Sequence, residues 1–151
     1  MGVNRTALGH VPAGGGTSGT AQTSGMERKA TICETTVGAH GIWMGEVRMA
    51  PGAVSGAHHH GLNESAIYVM SGSPEFIYRD GSKEVRIRTK PGDYVFVPPF
   101  VPHQEINANP NEPLTCVVVR SDQEPIVVNL DIAAVELPEE VSWLDPLHTN
   151  S

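Results

Sequence analysis

The chain has 151 residues, enough for one domain with its own core. Its 10 Lys and Arg stand against 17 Asp and Glu, a formal net charge of -7, and an acidic surface argues against nucleic acid as a partner. No apolar run approaches the roughly 20 residues that span a bilayer, and no apolar segment follows Arg5 as a secretory signal would require. A soluble cytoplasmic protein with no membrane partner is the expectation.

Residues 1–26 read as a disordered tail. The stretch from Ala13 to Gly25 is rich in Gly, Ser and Thr and cannot bury enough surface to offset its ordering entropy. Met26 stands at the boundary, and the native or functional start is expected near it. Residues 27–130 then read as the folded domain. Short β-prone runs recur there: Thr31–Val37, Ile42–Met49, Ser65–Met70, Glu75–Arg79, Glu84–Arg88, Tyr94–Val97, His103–Asn107, Leu114–Arg120 and Ile126–Leu130. None has helical periodicity, and their spacing with turn signals predicts an all-β sandwich or barrel. Asp80-Gly81 can supply the positive φ angles of a two-residue hairpin, and Pro91-Gly92-Asp93 reads as a tight turn. Cys33 and Cys116 lie in β-prone stretches and are expected as buried free thiols. Residues 131–151 form a C-terminal extension, in which Pro138–Leu144 is either a short helix covering one barrel end or a loosely packed tail.

The chemistry concentrates in Gly52–Glu64. Residues two apart in a strand share a face, so His58 and His60 project together and His59 points away. Glu64 follows beyond Gly61, where the chain can turn and bring a carboxylate back. Two imidazoles and a carboxylate suit iron, manganese, nickel, cobalt, copper or zinc. A fourth ligand is expected from elsewhere. His103, after a Pro-rich bend and at the head of a β-prone run, is better placed than His10, His40 or His148. The bland alternatives for His58-His59-His60 are an exposed polar loop or a purification-tag relic; the run is short, internal and flanked by strand and turn residues.

These segments resemble the two cupin motifs. Gly52, His58, His60 and Glu64 match the first motif, while Gly72 falls one residue late; in the longer form of the motif the carboxylate stands at 65, which is Ser here. Gly92, Pro98, His103 and Asn107 match the second, with Phe100 where the pattern has Gly. The resemblance covers roughly Ala30–Asn129 and implies a double-stranded β-helix, a jelly-roll barrel holding one divalent transition metal near its centre. It does not imply one reaction, since cupins range from dioxygenases and isomerases to storage proteins. It also implies frequent pairing as a homodimer, for which Ile126–Leu130 and the C-terminal segment are candidate contacts.

Strand parity adds Glu105, on the face of His103, as a candidate catalytic base or substrate contact; the alternative is a solvated rim carboxylate. Arg48, Arg88 and Arg120 could each hold a substrate carboxylate or lie on the solvated outer face. Tyr68, Tyr78, Tyr94, Trp43, Phe76 and Phe96 read as core or mouth packing. The expected function is a metal-dependent enzyme acting on a small polar metabolite, with oxygen-dependent, dioxygenase-like oxidation of a chelating substrate as its reaction. The alternatives are a redox-neutral metal enzyme (isomerase, decarboxylase or hydrazine-forming rearrangement) and a non-catalytic ligand-binding module.

Overall fold

A computed structural model describes residues 7–20, 22–80, 83–121, 128–130 and 141–144. In chain order its elements are β1 (Glu27–Ile32), α1 (Glu34–Val37), β2 (Trp43–Met49), β3 (Ala57–His59), β4 (Ser65–Ser71), β5 (Glu75–Asp80), β6 (Lys83–Arg88), β7 (Tyr94–Val97), β8 (His103–Ile106), β9 (Leu114–Arg120), β10 (Val128–Leu130) and β11 (Val141–Leu144). They form a five-stranded sheet, β1-β2-β9-β4-β7, and a six-stranded sheet, β10-β3-β8-β5-β6-β11.

The strands bury every second side chain, as the period of two requires. In β9, Leu114, Cys116, Val118 and Arg120 are buried and the residues between are half-buried. In β2, Trp43, Val47 and Met49 take the same role. The core joins these to Ile67 and Val69 of β4, Val97 of β7 and Phe76 of β5, so the inner faces of both sheets share one apolar interior. This is the double-stranded β-helix that the sequence predicts. Cys33 and Cys116 are free and buried. Among the described residues no helix is long and apolar enough to cross a membrane.

The turns follow their chemistry. Lys90 to Asp93 closes with a 3.1 Å hydrogen bond from the Asp93 amide to the Lys90 carbonyl, with Pro91 second and Gly92 (φ 96°) third. That is the arrangement of a type II turn. Asp80 faces Lys83 across the β5–β6 hairpin, whose two connecting residues lie outside the described ones.

Three stretches depart from the sequence reading. The run Thr31–Val37 stops being a strand at Ile32 and turns into α1. The Thr36 hydroxyl accepts the Cys33 amide and donates to the Thr31 carbonyl, and Gly38 ends the turn at φ 70°. Such local side-chain bonds compete with a strand ladder. Val141–Leu144 is no helix; as β11 it runs parallel to β6, Val141 opposite Glu84. Its place there comes from pairing with a distant edge, which local pattern does not encode. Tyr68, Tyr94 and Phe96 are exposed because they take outward positions on β4 and β7, while Trp43 and Phe76 are core. The two expected dimer segments contribute β10 and β11, the opposite edges of the six-stranded sheet.

Residues 7–20 and 22–26 lie along the barrel. Thr17 and Ala30 exchange backbone hydrogen bonds, the Gln22 side chain bonds both backbone groups of Arg28, and Met26 reaches the core. These ties are mostly polar, as the composition of the segment allows.

Gly52 and Gly72, two of the motif glycines, test the backbone account. Both have left-handed φ, 70° and 78°. A Cβ on Gly52 would meet nothing within 4 Å, whereas one on Gly72 would lie 2.5 Å from the Leu114 Cβ. Gly52→Ala should cost about 1–2 kcal/mol from backbone strain alone. Gly72→Ala should cost clearly more, read as a larger fall in urea midpoint. Equal falls would refute the steric contribution.

Candidate metal centre

The site is assembled by the antiparallel seam between the Gly52–His58 segment and β8. The Asn107 amide donates to the Ala53 carbonyl, and Ser55 and Glu105 join through Ser55 N–H to Glu105 O and Glu105 N–H to Ser55 Oγ, both 2.8 Å. This places His58 directly opposite His103. His58 and His60 then face the interior, while His59 turns away, its ring 5.8 Å from Phe100 and its Nδ1 accepting the Gly61 amide.

The rings of His58 and His103 are 4.3 Å apart, with His60 about 5 Å from each (5.1 and 5.0 Å). All three residues are buried, and one ligand atom from each lies within 4.8 Å of the others. The His58 Nδ1 bonds the Gly56 carbonyl at 2.8 Å and the His103 Nδ1 bonds the Val101 carbonyl at 3.0 Å. A carbonyl only accepts, so each Nδ1 carries the proton and each Nε2 keeps its lone pair. Neither Nε2 has a hydrogen-bond partner among the described residues. Buried, unpartnered lone pairs that converge are costly unless a cation takes them. The three histidines therefore fit a metal ion.

Glu105 joins them. Its carboxylate oxygens lie 3.5 Å from His103 Nε2 and 3.9 Å from His58 Nε2, too far for good hydrogen bonds, and Oε2 has no hydrogen-bond partner. Burial would raise the Glu105 carboxyl, but the adjoining rings of His103 and His58 and the charge of Arg28 outweigh it and hold the group at about 2. Burial pushes His58 down to about 4, against the opposing pull of Glu105. Glu105 is thus an interior carboxylate and no rim residue.

Glu64 is not brought to the cluster. It is exposed, its backbone tied to Ser121 through Glu64 N–H to Ser121 Oγ (3.0 Å) and Ser121 N–H to Glu64 O (3.1 Å). The turn held by the Asn63 amide on the His60 carbonyl sets strand parity so that Ser65 points inward and Glu64 outward. The signal was in the sequence: counting from Gly72, the longer motif spacing puts residue 65 at the carboxylate position. His10 and His40 are exposed and outside the cluster; His148 lies outside the described residues. Asn107 instead ties loops together, donating to the carbonyls of Met49 (3.4 Å), Ala50 (3.1 Å) and Glu112 (2.9 Å). Phe100, where the motif has glycine, takes a left-handed φ of 60°. Of the three arginines singled out, Arg48 and Arg88 are exposed and Arg120 is buried; Arg28, buried on β1, was missed. An apolar cleft of about 410 Å³, lined by Phe76, Tyr78, Ile87, Val95 and Val97, reaches His103.

A family model described as a cupin domain matches residues 45–120, half of the chain. The chain belongs to the cupin family. The matched span holds His58, His60, His103 and Glu105, so the candidate centre of this cupin lies wholly inside it. No curated protein sequence matches the chain. Among solved structures it is similar to an oxalate oxidase in complex with the substrate analogue glycolate (22% identity, TM-score 0.63, covering 76% of this chain and 59% of that one). It is similar to the polyketide cyclase RemF from Streptomyces resistomycificus (21%, 0.67, 84% and 88%) and to an oxalate decarboxylase from Lactobacillus farciminis in a formate complex (20%, 0.63, 73% and 32%). The chain spans 59% of the oxidase and 32% of the decarboxylase; at these identities the likeness is one of fold.

The depressed His58 gives a signed prediction for the metal-free cupin. As pH falls, the unfolded chain takes the proton near 6.5, the folded one only near 4. Stability should therefore be complete above about 6.5 and fall towards 4, by roughly 3 kcal/mol. Glu105, ordinarily at 4.5 and held at about 2, extends the loss below that window. Urea midpoints across the range read this out, and a flat profile between 6.5 and 4 would contradict the buried neutral imidazole.

Proposed function

We propose that this cupin is a metal-dependent enzyme acting on a small polar metabolite that chelates the metal, and that its reaction is an oxygen-dependent oxidation. The observation that carries the reading is the set of converging imidazoles whose Nε2 lone pairs at His58 and His103 lack partners, with the Glu105 carboxylate beside them. His58, His60 and His103 would hold the cation, and Glu105, rather than Glu64, would be its acidic donor. A divalent transition metal there would supply Lewis acidity and, if redox-active, activation of dioxygen.

The chain's own part is preorganisation. The carbonyls of Gly56 and Val101 fix the two imidazoles in the tautomer that binds metal. The apolar cleft at His103 offers an entering molecule a hydrophobic wall beside the cluster. Glu105 offers a fixed negative charge, which leaves positions for a bidentate substrate. Fold-level analogy points the same way, since one neighbour is an oxidase of a small acid. The redox-neutral reading rests on the same inward carboxylate and on the decarboxylase and cyclase neighbours; turnover with zinc in the absence of oxygen would identify it.

Protein purified without added ions should carry one metal per chain. His58→Ala should abolish this, Glu105→Gln should weaken binding roughly 10- to 100-fold, and Glu64→Gln should leave it unchanged. Metal analysis of the four proteins decides between Glu105 and Glu64. The iron-loaded cupin should consume oxygen with a member of a panel of chelating acids, diketones and thiols. Absence of turnover under every metal tried would sink the enzymatic reading.

A further inference from the structure

The last residue of β9 poses a problem that the metal does not solve. Arg120 is 1% exposed, and its Nε and Nη1 have no hydrogen-bond partner among the described residues. Its guanidinium carbon lies 4.9 Å from the centroid of the Trp43 ring, whose face attracts the charge but accepts no in-plane N–H. Directly across the strand pair stands Ser65, also buried, whose Oγ lacks a partner too. Arg28, buried on β1 and donating to the Thr23 hydroxyl at 2.7 Å, lies near enough for its charge to act on Arg120; Glu105 acts on both. Among the described residues the charged groups of this interior are Arg28, Arg120 and Glu105, and a divalent cation would add further positive charge. Unpaired buried charge is strongly disfavoured, so the missing partner is an anion.

We infer that Arg120 and Ser65 form an anion-binding subsite that takes one carboxylate of a small chelating acid, whose second donor group faces the three-histidine cluster. Nε and Nη1 lie on different edges of the planar guanidinium, each beside Nη2, so a carboxylate pairs with one edge through one of them and Nη2, and the Ser65 hydroxyl adds a further donor. Serine stands at 65, where the longer spacing of the first motif carries a carboxylate, so the bound acid brings the negative charge that this wall lacks. The inference names the substrate class of the proposed enzyme, and only the second donor's role rests on that reading. The carboxylate contact requires no metal.

The test is calorimetric titration of the full chain, metal-free and metal-loaded, with glycolate, oxalate and malonate and with their neutral amides, metal content being measured on each sample. At least one acid should bind the metal-free protein, with its amide at least about tenfold weaker. Arg120→Lys, which keeps the charge and loses the fork, should weaken the acid about tenfold or more, and Ser65→Ala several-fold. If Arg120→Lys fails to fold, Ser65→Ala and the acid-to-amide ratio still decide. Acids that do not bind metal-free protein, or bind indifferently to both substitutions, overturn the subsite. Affinity that appears only with metal and ignores Arg120→Lys assigns the anion to the metal and overturns it too. Acid binding by a protein that takes up no metal upholds the subsite and sinks the enzyme reading instead.

Discussion

The whole site depends on one pairing register, His58 opposite His103. Because side chains alternate with a period of two, a slip of one residue would turn His103 and Glu105 outward and bring Gln104 in. The register is pinned on one side by the reciprocal Ser55–Glu105 bonds and the Asn107–Ala53 bond, and on the other by the bridge of Phe100 N–H to the Gly61 carbonyl. The same backbone that closes the sheet supplies the Gly56 and Val101 carbonyls that orient the two rings. Sheet formation and preparation of the centre are thus one event, and loosening the seam would disperse the donors.

The interior is divided along its length. Leu114, Met49 and Val69 fill one part with apolar side chains, while His58, His103, Glu105, Arg28 and Arg120 bring polar and charged groups into the rest. Burying that second set costs stability unless partners complete it. The structure meets part of the cost internally: Asn107 spreads its two amide hydrogens over three carbonyls, and Thr23 accepts from Arg28. Among the described side-chain atoms that lack a hydrogen-bond partner are the Nε2 atoms of His58 and His103, Glu105 Oε2, Ser65 Oγ and two nitrogens of Arg120, all on groups able to hold a ligand.

Much of this was legible from residue spacing. The barrel, most strands and the three histidines followed from period-two patterning and two motif segments, because both signals are local and repeated. The acid did not follow. Glu64 sits at a permitted spacing from His60; only the count back from Gly72 points to 65 as the inward position, a parity that the Asn63 turn sets and the pairing of β4 with β9 holds. Glu105 was visible as a neighbour of His103 by parity, though its approach to His58 needed the seam. Arg28 and Arg120 look like outer-strand arginines, since composition assigns charge to solvent; only three dimensions reveal them facing one interior. β11 and α1 were lost for opposite reasons, one made by a remote sheet edge and the other by the Thr36 hydroxyl.

The proposed acid at 105, in place of 64, changes how the barrel is used. His58, His103 and Glu105 stand on β3 and β8, neighbours in the six-stranded sheet, and His60 directly follows β3. Arg28, Ser65 and Arg120 stand on β1, β4 and β9 of the five-stranded sheet. The lone-pair donors and the N–H and O–H donors thus come from opposite walls. A carboxylate from 64 would have placed an acid on the five-stranded side, beside Arg120, and neutralised it. With serine at 65 and the acid at 105, that wall keeps the buried charge of Arg120, whose Nε and Nη1 lack a hydrogen-bond partner among the described residues. A ligand that bridges the walls would be held at both ends before reaction, which restricts its orientation far more than a cation alone.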